Sequence, residues 1–542
     1  MPGETIFKPL QWSDIGVMAP ELVLGVWFVL LVVVELLLPK PVSRNWIGWL
    51  TLVGFAGAFV LVLLRMLDMN SGDGTEAISL LGDSYRVDDF GSLMKLLVLA
   101  GTAIVTLLGL STVSRDRSIT DKGEFFYLLL PAAIGAMMMA SSGNLITLYI
   151  GLELLTITSY VLVGLRRKSS LSAEAAFKYV VTGGVSSAFI LFGMSYLYGV
   201  TGSVELSAIR EALPAAVGSY EALVYVGFGC MIAGFAIKVA AAPFHAWSLD
   251  VYQGSPTPIA AFLAVVSKGA TFAMILRVIF SLGLFTGNGS TTGGSVKDDL
   301  FFTVLLLAAI SMLAGTLAAL RQKNAKRLLA LSGVANAGYL LVPIGLGVTA
   351  THSNNGTELL FYLVAYLLMT MGAFAVQTVV SRSVGHDELR GFAGMYYRSP
   401  WTAIAMVMFL LSLAGLPVSA GFFGKLFILL GAANAKAYWI AAIMVLSSVI
   451  SYYFYFGIIR QMFMRSSNGL IEAGQGEDSA AEQEVSSDEK PDDRPDGTIR
   501  VPLTTGIVIW FCASLTFALG IFPGLVVNIL DNVFSISGDI LG

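Results

Sequence analysis

Charge is what this sequence has least of. Only 13% of its 542 residues are Asp, Glu, Lys or Arg, about half the share of a soluble domain. Against them stand 56% hydrophobic residues. A surface that poor in charge does not keep a chain of this size in water, which excludes a soluble enzyme. Neither sign dominates: 32 basic and 36 acidic residues leave a net charge of −4, so nucleic acid has no electrostatic foothold. Cysteine is nearly absent. Cys230 and Cys512 lie far apart within apolar runs and form neither a disulfide framework nor a metal or iron–sulfur spacing. Period-two alternation is missing as well, which excludes an outer-membrane barrel.

What the sequence has instead is apolar runs. A hydrocarbon core about 30 Å thick needs roughly 20 residues of helix to cross. Fourteen such runs can be read, over 15–38, 45–67, 90–113, 123–142, 144–165, 174–200, 220–248, 257–286, 300–320, 326–350, 358–380, 401–431, 437–463 and 503–534. The first lacks a basic n-region and exceeds the length of a cleavable apolar stretch, so it is expected to remain as a membrane helix. The expected fold is an all-α polytopic membrane protein of about 14 transmembrane helices.

Cytoplasmic loops retain Lys and Arg. With the N-terminus outside, alternate inner loops hold twenty basic residues, Arg115, Arg166, Lys326 and Arg390 among them, and the outer loops hold six. Both termini are therefore expected outside. One inner loop departs in composition: residues 466–500 contain ten acids and three basic residues with Ser, Gly and Pro. That composition cannot bury a core and is expected to be disordered, as a solvated insertion or as a docking tail. The expected divisions are an N-terminal three-helix segment over 1–122, five-helix units over 123–286 and 300–463, the acidic loop over 466–500 and a C-terminal helix over 503–542.

An ionisable side chain deep in a membrane helix costs roughly 3 kcal/mol or more. Lys95, Arg277, Glu21 and Glu35 lie near the ends of their runs, where a long side chain can snorkel or find a partner. Glu153, Lys238, Lys268 and Lys425 lie deeper. One structural salt bridge explains one acid and one base, not three lysines against a single carboxylate. Lys238 precedes KVAAAPFHAW, in which Pro243 should interrupt the seventh helix. Lys425 ends LAGLPVSAGFFGK, in which Gly415, Pro417, Gly421 and Gly424 should interrupt the twelfth. Burial disfavours a lysine's charge and a nearby carboxylate favours it, so a side chain under both influences can exchange a proton near neutral pH. His245, just past Pro243, could relay protons or serve structure alone.

The two prolines are 174 residues apart, and the same offset lays helices 4–8 on helices 9–13. Five helices per unit is odd, so the second copy must run upside down. Inverted repeats with discontinuous helices meeting near midmembrane mark ion-translocating folds, and unwound backbone is tolerated there only where it lines an interior cavity.

Several stretches together resemble the antiporter-like subunits of respiratory complex I, the bacterial NADH-quinone oxidoreductase. They are GLELLTITSYVLVGLRR with Glu153, SAEAAFKYV with Lys178, FAIKVAAAPFHAWSLDVYQGSPTP with Lys238 and His245, SKGA with Lys268, NAKRLLALSGVANAGYLL, and LAGLPVSAGFFGK with Lys425. Within that family Lys425, where M-type members carry Glu, and an end at Gly542 without the long lateral helix of L-type members favour the N type. The resemblance implies a bacterial cell-membrane subunit that pumps protons outward, with Glu153 and Lys238 as a coupled pair. Lys178 and Lys268 would extend a hydrated axis, and Lys425 would pass protons toward the outer side. It also implies no cofactor or metal in this chain, with NADH, FMN, iron–sulfur clusters and quinone in partner subunits, and M and K subunits as neighbours. A multisubunit (Mrp-type) cation/proton antiporter subunit and a non-catalytic assembly scaffold are the alternatives. The chain departs from the family pattern in three places. Leu249 and Val418 stand where Pro is usual, and Leu331, Ser332, Gly333 and Asn336 replace a Tyr-Ser-Ser stretch and a following His. Asn cannot titrate, so the link from Lys268 to Lys425 is expected to depend on water.

Overall fold

Hydrocarbon offers the backbone no hydrogen bonds, so each spanning segment must satisfy its own amides and carbonyls. In the computed structural model, which describes residues 12–39, 43–71, 77–282, 294–347, 355–464 and 498–535, nearly every segment does so as α-helix. The spans are α1 Ala19–Leu37, α2 Asn45–Ser71, α3 Asp89–Thr112, α4 Lys122–Ala140, α5 Leu145–Val163, α6 Ser170–Thr201 and α7a Leu206–Lys238 with α7b Ala246–Gly254. They continue with α8 Thr257–Ser281, α9 Gly294–Ala319, α10 Ala325–Leu346, α11 Asn355–Val384, α12a Pro400–Ala414 with α12b Ala420–Asn434, α13 Tyr438–Phe463 and α14 Leu503–Ile521. Thirteen are long and apolar enough to cross a membrane, and α12, in two halves of 15 residues each, makes the fourteenth. Between α2 and α3 a small antiparallel hairpin joins β1 Ile78–Leu80 to β2 Tyr85–Val87. The acidic stretch 466–500 lies almost wholly outside the described residues.

The boundaries differ from the sequence reading in three places. The seventh run was expected from 220, but α7a begins at Leu206. Arg210, Glu211 and Pro214 give its start the look of a loop, and the chain leaves helical geometry at Tyr220. The last run does not continue to 534. It stops at Ile521, and Pro523, which has no N–H to give the preceding turn, opens a separate amphipathic helix, α15 Pro523–Ser535. Thr357 Oγ1 donates to Asp531 Oδ1 of that helix at 2.7 Å. The eighth run is not uniform either: α8 widens into a π-helical turn over Leu263–Ser267, ending directly before Lys268.

α8, α10 and α11 are almost completely enclosed, while large apolar side chains such as Phe177, Trp401, Tyr453 and Leu503 stand exposed on the outer helices, as a lipid-facing surface requires. Two backbone clasps brace the bundle. At the start of α5, Asn144 caps the helix through Ile146 N at 2.9 Å, Leu145 N donates to Val204 O at 2.9 Å, and Leu206 N donates to Gly143 O at 2.8 Å. At the start of α10, Asn324 caps through Arg327 N at 3.1 Å, Ala325 N donates to Asp387 O at 2.7 Å, and Leu389 N donates to Lys323 O at 2.8 Å. Five spans separate the two asparagines, which puts the clasps at opposite ends of the bundle.

The cations near segment ends are paired rather than snorkelling to water. Lys95 Nζ lies 2.7 Å from Glu21 Oε1 and donates to the Tyr85 hydroxyl at 2.9 Å, which in turn donates to Glu21 Oε2 at 2.9 Å. Arg44 pairs with Glu35 at 2.9 Å. Arg277 is wholly buried and grips both oxygens of Asp88, which also caps α3 through Gly91 N at 2.7 Å, and the Ala140 carbonyl. One side chain thereby joins α3, α4 and α8. Replacing Asp88 by Leu removes the carboxylate that both Nη atoms of buried Arg277 grip, and it should cost about 3–5 kcal/mol, read as a lower midpoint of thermal unfolding in detergent.

At the second clasp Lys326, buried at the start of α10, pairs with Asp387 in the α11–α12 connection at 3.0 Å. Burial alone would raise the Asp387 carboxyl, but Lys326 and a Ser381 hydrogen bond hold it below its ordinary value of 3.8. A depressed carboxylate stabilises the fold above the unfolded-state value, and that contribution is lost as pH falls through the lower folded-state value. An Asp387→Asn variant should therefore melt earlier than the native protein at neutral pH, with the gap closing only below the usual carboxylate range.

Candidate functional site

Helical spacing puts Glu153, Thr156 and Tyr160 on one face of α5, toward the end of α7a. Lys238 is the last residue of that half-helix, and its Nζ donates to Thr156 Oγ1 at 2.9 Å. Glu153 is half-buried and its Oε1 has no hydrogen-bond partner. Lys238 feels its charge at longer range rather than through a direct pair. Beyond Lys238 the backbone unwinds through Ala240, which takes a positive φ of 57°. The freed groups are claimed by neighbours: Ala242 N donates to Ser311 Oγ of α9 at 2.9 Å, and Trp247 Nε1 of α7b donates back to Ile237 O at 3.0 Å. His245 sits half-buried at the end of this break with its Nδ1 buried and unpartnered.

Lys268 follows the π turn of α8 and is 3% exposed. Its Nζ donates to Gly333 O of α10 at 3.0 Å. Gly333 is suited to that contact because a Cβ there would lie 3.1 Å from Nζ and 3.0 Å from the Tyr366 hydroxyl. This residue is one of the departures in the sequence, and the structure gives it a use.

The second break holds its lysine differently. α12a ends at Ala414, Gly415 turns the chain at a φ of 85°, and Ser419 caps α12b through Phe422 N. Lys425, 8% exposed on α12b, reaches back so that Nζ donates to Leu413 O at 2.8 Å and Ala414 O at 3.3 Å. Those are orphan carbonyls at the negative end of α12a's dipole, a natural cation site. The ammonium also lies 4.7 Å from the centre of the Tyr339 ring. Gly421 lets the halves cross, since a Cβ there would fall 2.0 Å from Ser412 O.

Between Lys268 and Lys425 runs a chain that sequence reasoning did not anticipate. Tyr362 OH donates to Asn336 Oδ1 at 2.7 Å, Asn336 Nδ2 donates to Ser332 Oγ at 3.3 Å, and Ser332 shares a short hydrogen bond with the Tyr455 hydroxyl. All four residues are buried. Nearer the first unit, Tyr179 stacks on Trp247 at 5.0 Å with its hydroxyl beside Ser159 and Ser267, the residue before Lys268. Among the described residues the buried Tyr252 hydroxyl has no hydrogen-bond partner, and the Tyr366 hydroxyl lies beside Thr370. One signal for this set was available: Tyr362 and Tyr366 stand one turn apart in the otherwise apolar stretch 359–369 of α11. Lys178 lies elsewhere, in the third turn of α6, partly exposed and paired with Glu174 at 2.7 Å and Asp250 at 2.6 Å. Among the described residues no three His, Cys, Asp or Glu side chains gather as metal ligands would.

Residues 142–451 match the family described as NADH:quinone oxidoreductase/Mrp antiporter, TM. The NADH-quinone oxidoreductase subunit N of Paenibacillus sp. (strain JDR-2) is 59% identical over 99% of both chains. Among solved structures, a chain of respiratory complex I from Thermus thermophilus is 30% identical over 94% of this chain and 99% of its own, with a TM-score of 0.71. A chain of the Mrp complex from Dietzia sp. DQ12-45-1b shares the fold, at a TM-score of 0.79 over 98% of this chain and 100% of its own, with 18% identity.

The crossing at Gly421 has a direct check. Gly421→Ala forces a carbon against backbone and should destabilise by about 1–3 kcal/mol. Gly184→Ala, with nothing within 4 Å of the added carbon, should not, when both are compared by thermal unfolding.

Proposed function

The chain belongs to the family of NADH-quinone oxidoreductase subunit N, and we propose that it is the proton-translocating membrane subunit of such a complex. Electrons pass through partner subunits that hold NADH, FMN, iron–sulfur clusters and quinone. This chain moves protons outward along Glu153, Lys238, Lys268 and Lys425, with Lys178 and His245 as relay groups. It sits in the bacterial cell membrane with both termini outside, beside the antiporter-like M and small K subunits. Its two five-helix units, helices 4–8 and 9–13, act as inverted copies.

One contrast carries this reading. Lys95, Lys326 and Arg277 are buried and each is paired with a carboxylate. Lys238, Lys268 and Lys425 are held by neutral oxygens, of Thr156, Gly333 and the Leu413–Ala414 helix end. A lysine on neutral acceptors can release its proton without orphaning an anion, and the acceptor can then receive a hydrogen bond from water. Lysines buried against a carboxylate cannot do this, which separates structural charges from transported ones, and Lys178, though ion-paired, is partly exposed and keeps access to water. The cation/proton antiporter alternative is supported by the family match, which names both, and by a shared fold at 18% identity, against 59% identity to a subunit N.

The test is NADH-driven proton uptake by inverted membrane vesicles. Lys238→Ala should lower it roughly tenfold or more in a fully assembled complex, and Gly333→Ala should lower it less by displacing Lys268. Full inhibitor-sensitive pumping by Lys238→Ala with normal assembly would overturn the reading.

A further inference from the structure

Asp250 belongs to α7b, beyond the break, and is not one of the residues assigned above to proton transfer. Its carboxylate is divided between two helices. Oδ2 lies 2.6 Å from Lys178 Nζ of α6, and Oδ1 lies 3.0 Å from Arg327 Nη1 of α10. Arg327 Nη1 also donates to Gln253 Oε1, one turn further along α7b, at 2.8 Å. Lys326, next to Arg327, donates to Ser255 O just past the end of α7b at 3.3 Å. This nine-residue half-helix and the residue after it are therefore fastened to α10 by polar contacts at three successive points, and to α6 by the Lys178 ion pair and the Tyr179–Trp247 stack.

Each end of this fastening leads to one of the transport lysines. Trp247 lies three residues before Asp250 on α7b, and its Nε1 holds the Ile237 carbonyl, next to Lys238. Arg327 lies six residues before Gly333 on α10, and the Gly333 carbonyl holds Lys268. A rigid path thus runs from Lys238 through Ile237, Trp247, Asp250, Arg327 and Gly333 to Lys268. It joins the first five-helix unit to the second outside the proton axis itself.

We propose that Asp250 is a positioning residue that couples the Lys238 and Lys268 sites, its carboxylate tying α7b to Arg327 so that a shift of either helix is felt at both lysines. The inference rests on the reading of the lysine row given above. Glu174, Lys178, Asp250 and Arg327 together carry no net charge. Loss of Asp250 leaves Lys178 with Glu174 but leaves Arg327 with only the Gln253 amide of the contacts described here. Toward α10 the half-helix then keeps only neutral acceptors, Gln253 Oε1 and Ser255 O, and loses its one ion pair.

The experiment uses the assembled complex in inverted vesicles and reads protons taken up per NADH oxidised, its pH profile, and the amount of assembled complex on a native gel. Asp250→Asn should lower the ratio roughly tenfold and alter its pH profile without reducing assembly. Asp250→Glu should restore most of it. Arg327→Met should act similarly, and the double variant Asp250→Asn with Arg327→Met should be no worse than either single change, because both cut the same tether. Should Asp250→Asn fail to assemble, Trp247→Phe, which removes the indole donor and keeps a ring against Tyr179, decides: a lowered ratio supports the coupling and an unchanged ratio overturns it. A native ratio in Asp250→Asn, or a loss that follows assembly and is not rescued by Glu, also overturns it. Lys238→Ala run in parallel separates the two claims. Full pumping there defeats the lysine row, whereas its loss there beside normal pumping in Asp250→Asn defeats the tether alone.

Discussion

A helix broken inside hydrocarbon exposes amides and carbonyls that lipid cannot solvate, and most of what is distinctive in this molecule follows from how it meets that demand. At the first break the partners are Ser311 for an amide and Trp247 for a carbonyl. At the second they are Lys425 for two carbonyls and the Ser412 hydroxyl for the Gly421 amide at 3.0 Å. In α12 the lysine satisfies the break and the break satisfies the lysine. Each would be costly in lipid without the other, so the position of the charge and the interruption of the helix are one arrangement.

The same logic sorts the buried cations. Where a charge must stay put, as at Arg277, Lys95 and Lys326, a carboxylate and further hydrogen bonds surround it. Such a cluster ties several helices and resists any change of protonation. At Lys238, Lys268 and Lys425, for which proton transfer is proposed, neutral oxygens stand in the carboxylate's place. Glu153 lies within Coulombic reach of Lys238 but out of contact, so it can bias that lysine without holding it.

Much of this was legible in the sequence, because the hydrocarbon imposes a length on each helix and makes every buried charge conspicuous. The fourteen spans, the breaks near Pro243 and Pro417, and the depth of Glu153, Lys238, Lys268 and Lys425 all rest on that. Side-chain partners were not legible, since they depend on which helices become neighbours. Lys178, four residues after Glu174 and near the start of its run, is less deeply set in apolar sequence than Lys268, and the fold adds a second carboxylate, Asp250 of α7b, that the sequence did not announce. Asp250 and Arg327 are ordinary polar residues until α7b meets α10. Helix ends also misled where polar and apolar cues conflicted. Arg210, Glu211 and Pro214 hid the start of α7a, and the apolar residues after Pro523 concealed a new helix.

The π turn over Leu263–Ser267 carries a last implication. A π turn amounts to one residue inserted into an α-helix, and each residue of helix advances the side chain by about a quarter turn and more. Without that extra residue Lys268 would swing away from Gly333 and Ser267 away from Tyr179. The direction of this lysine is thus encoded in the length of the five residues before it as much as in its identity. A relative that keeps the lysine but loses one residue of that stretch would match here letter for letter at the charged position and aim it at a different helix.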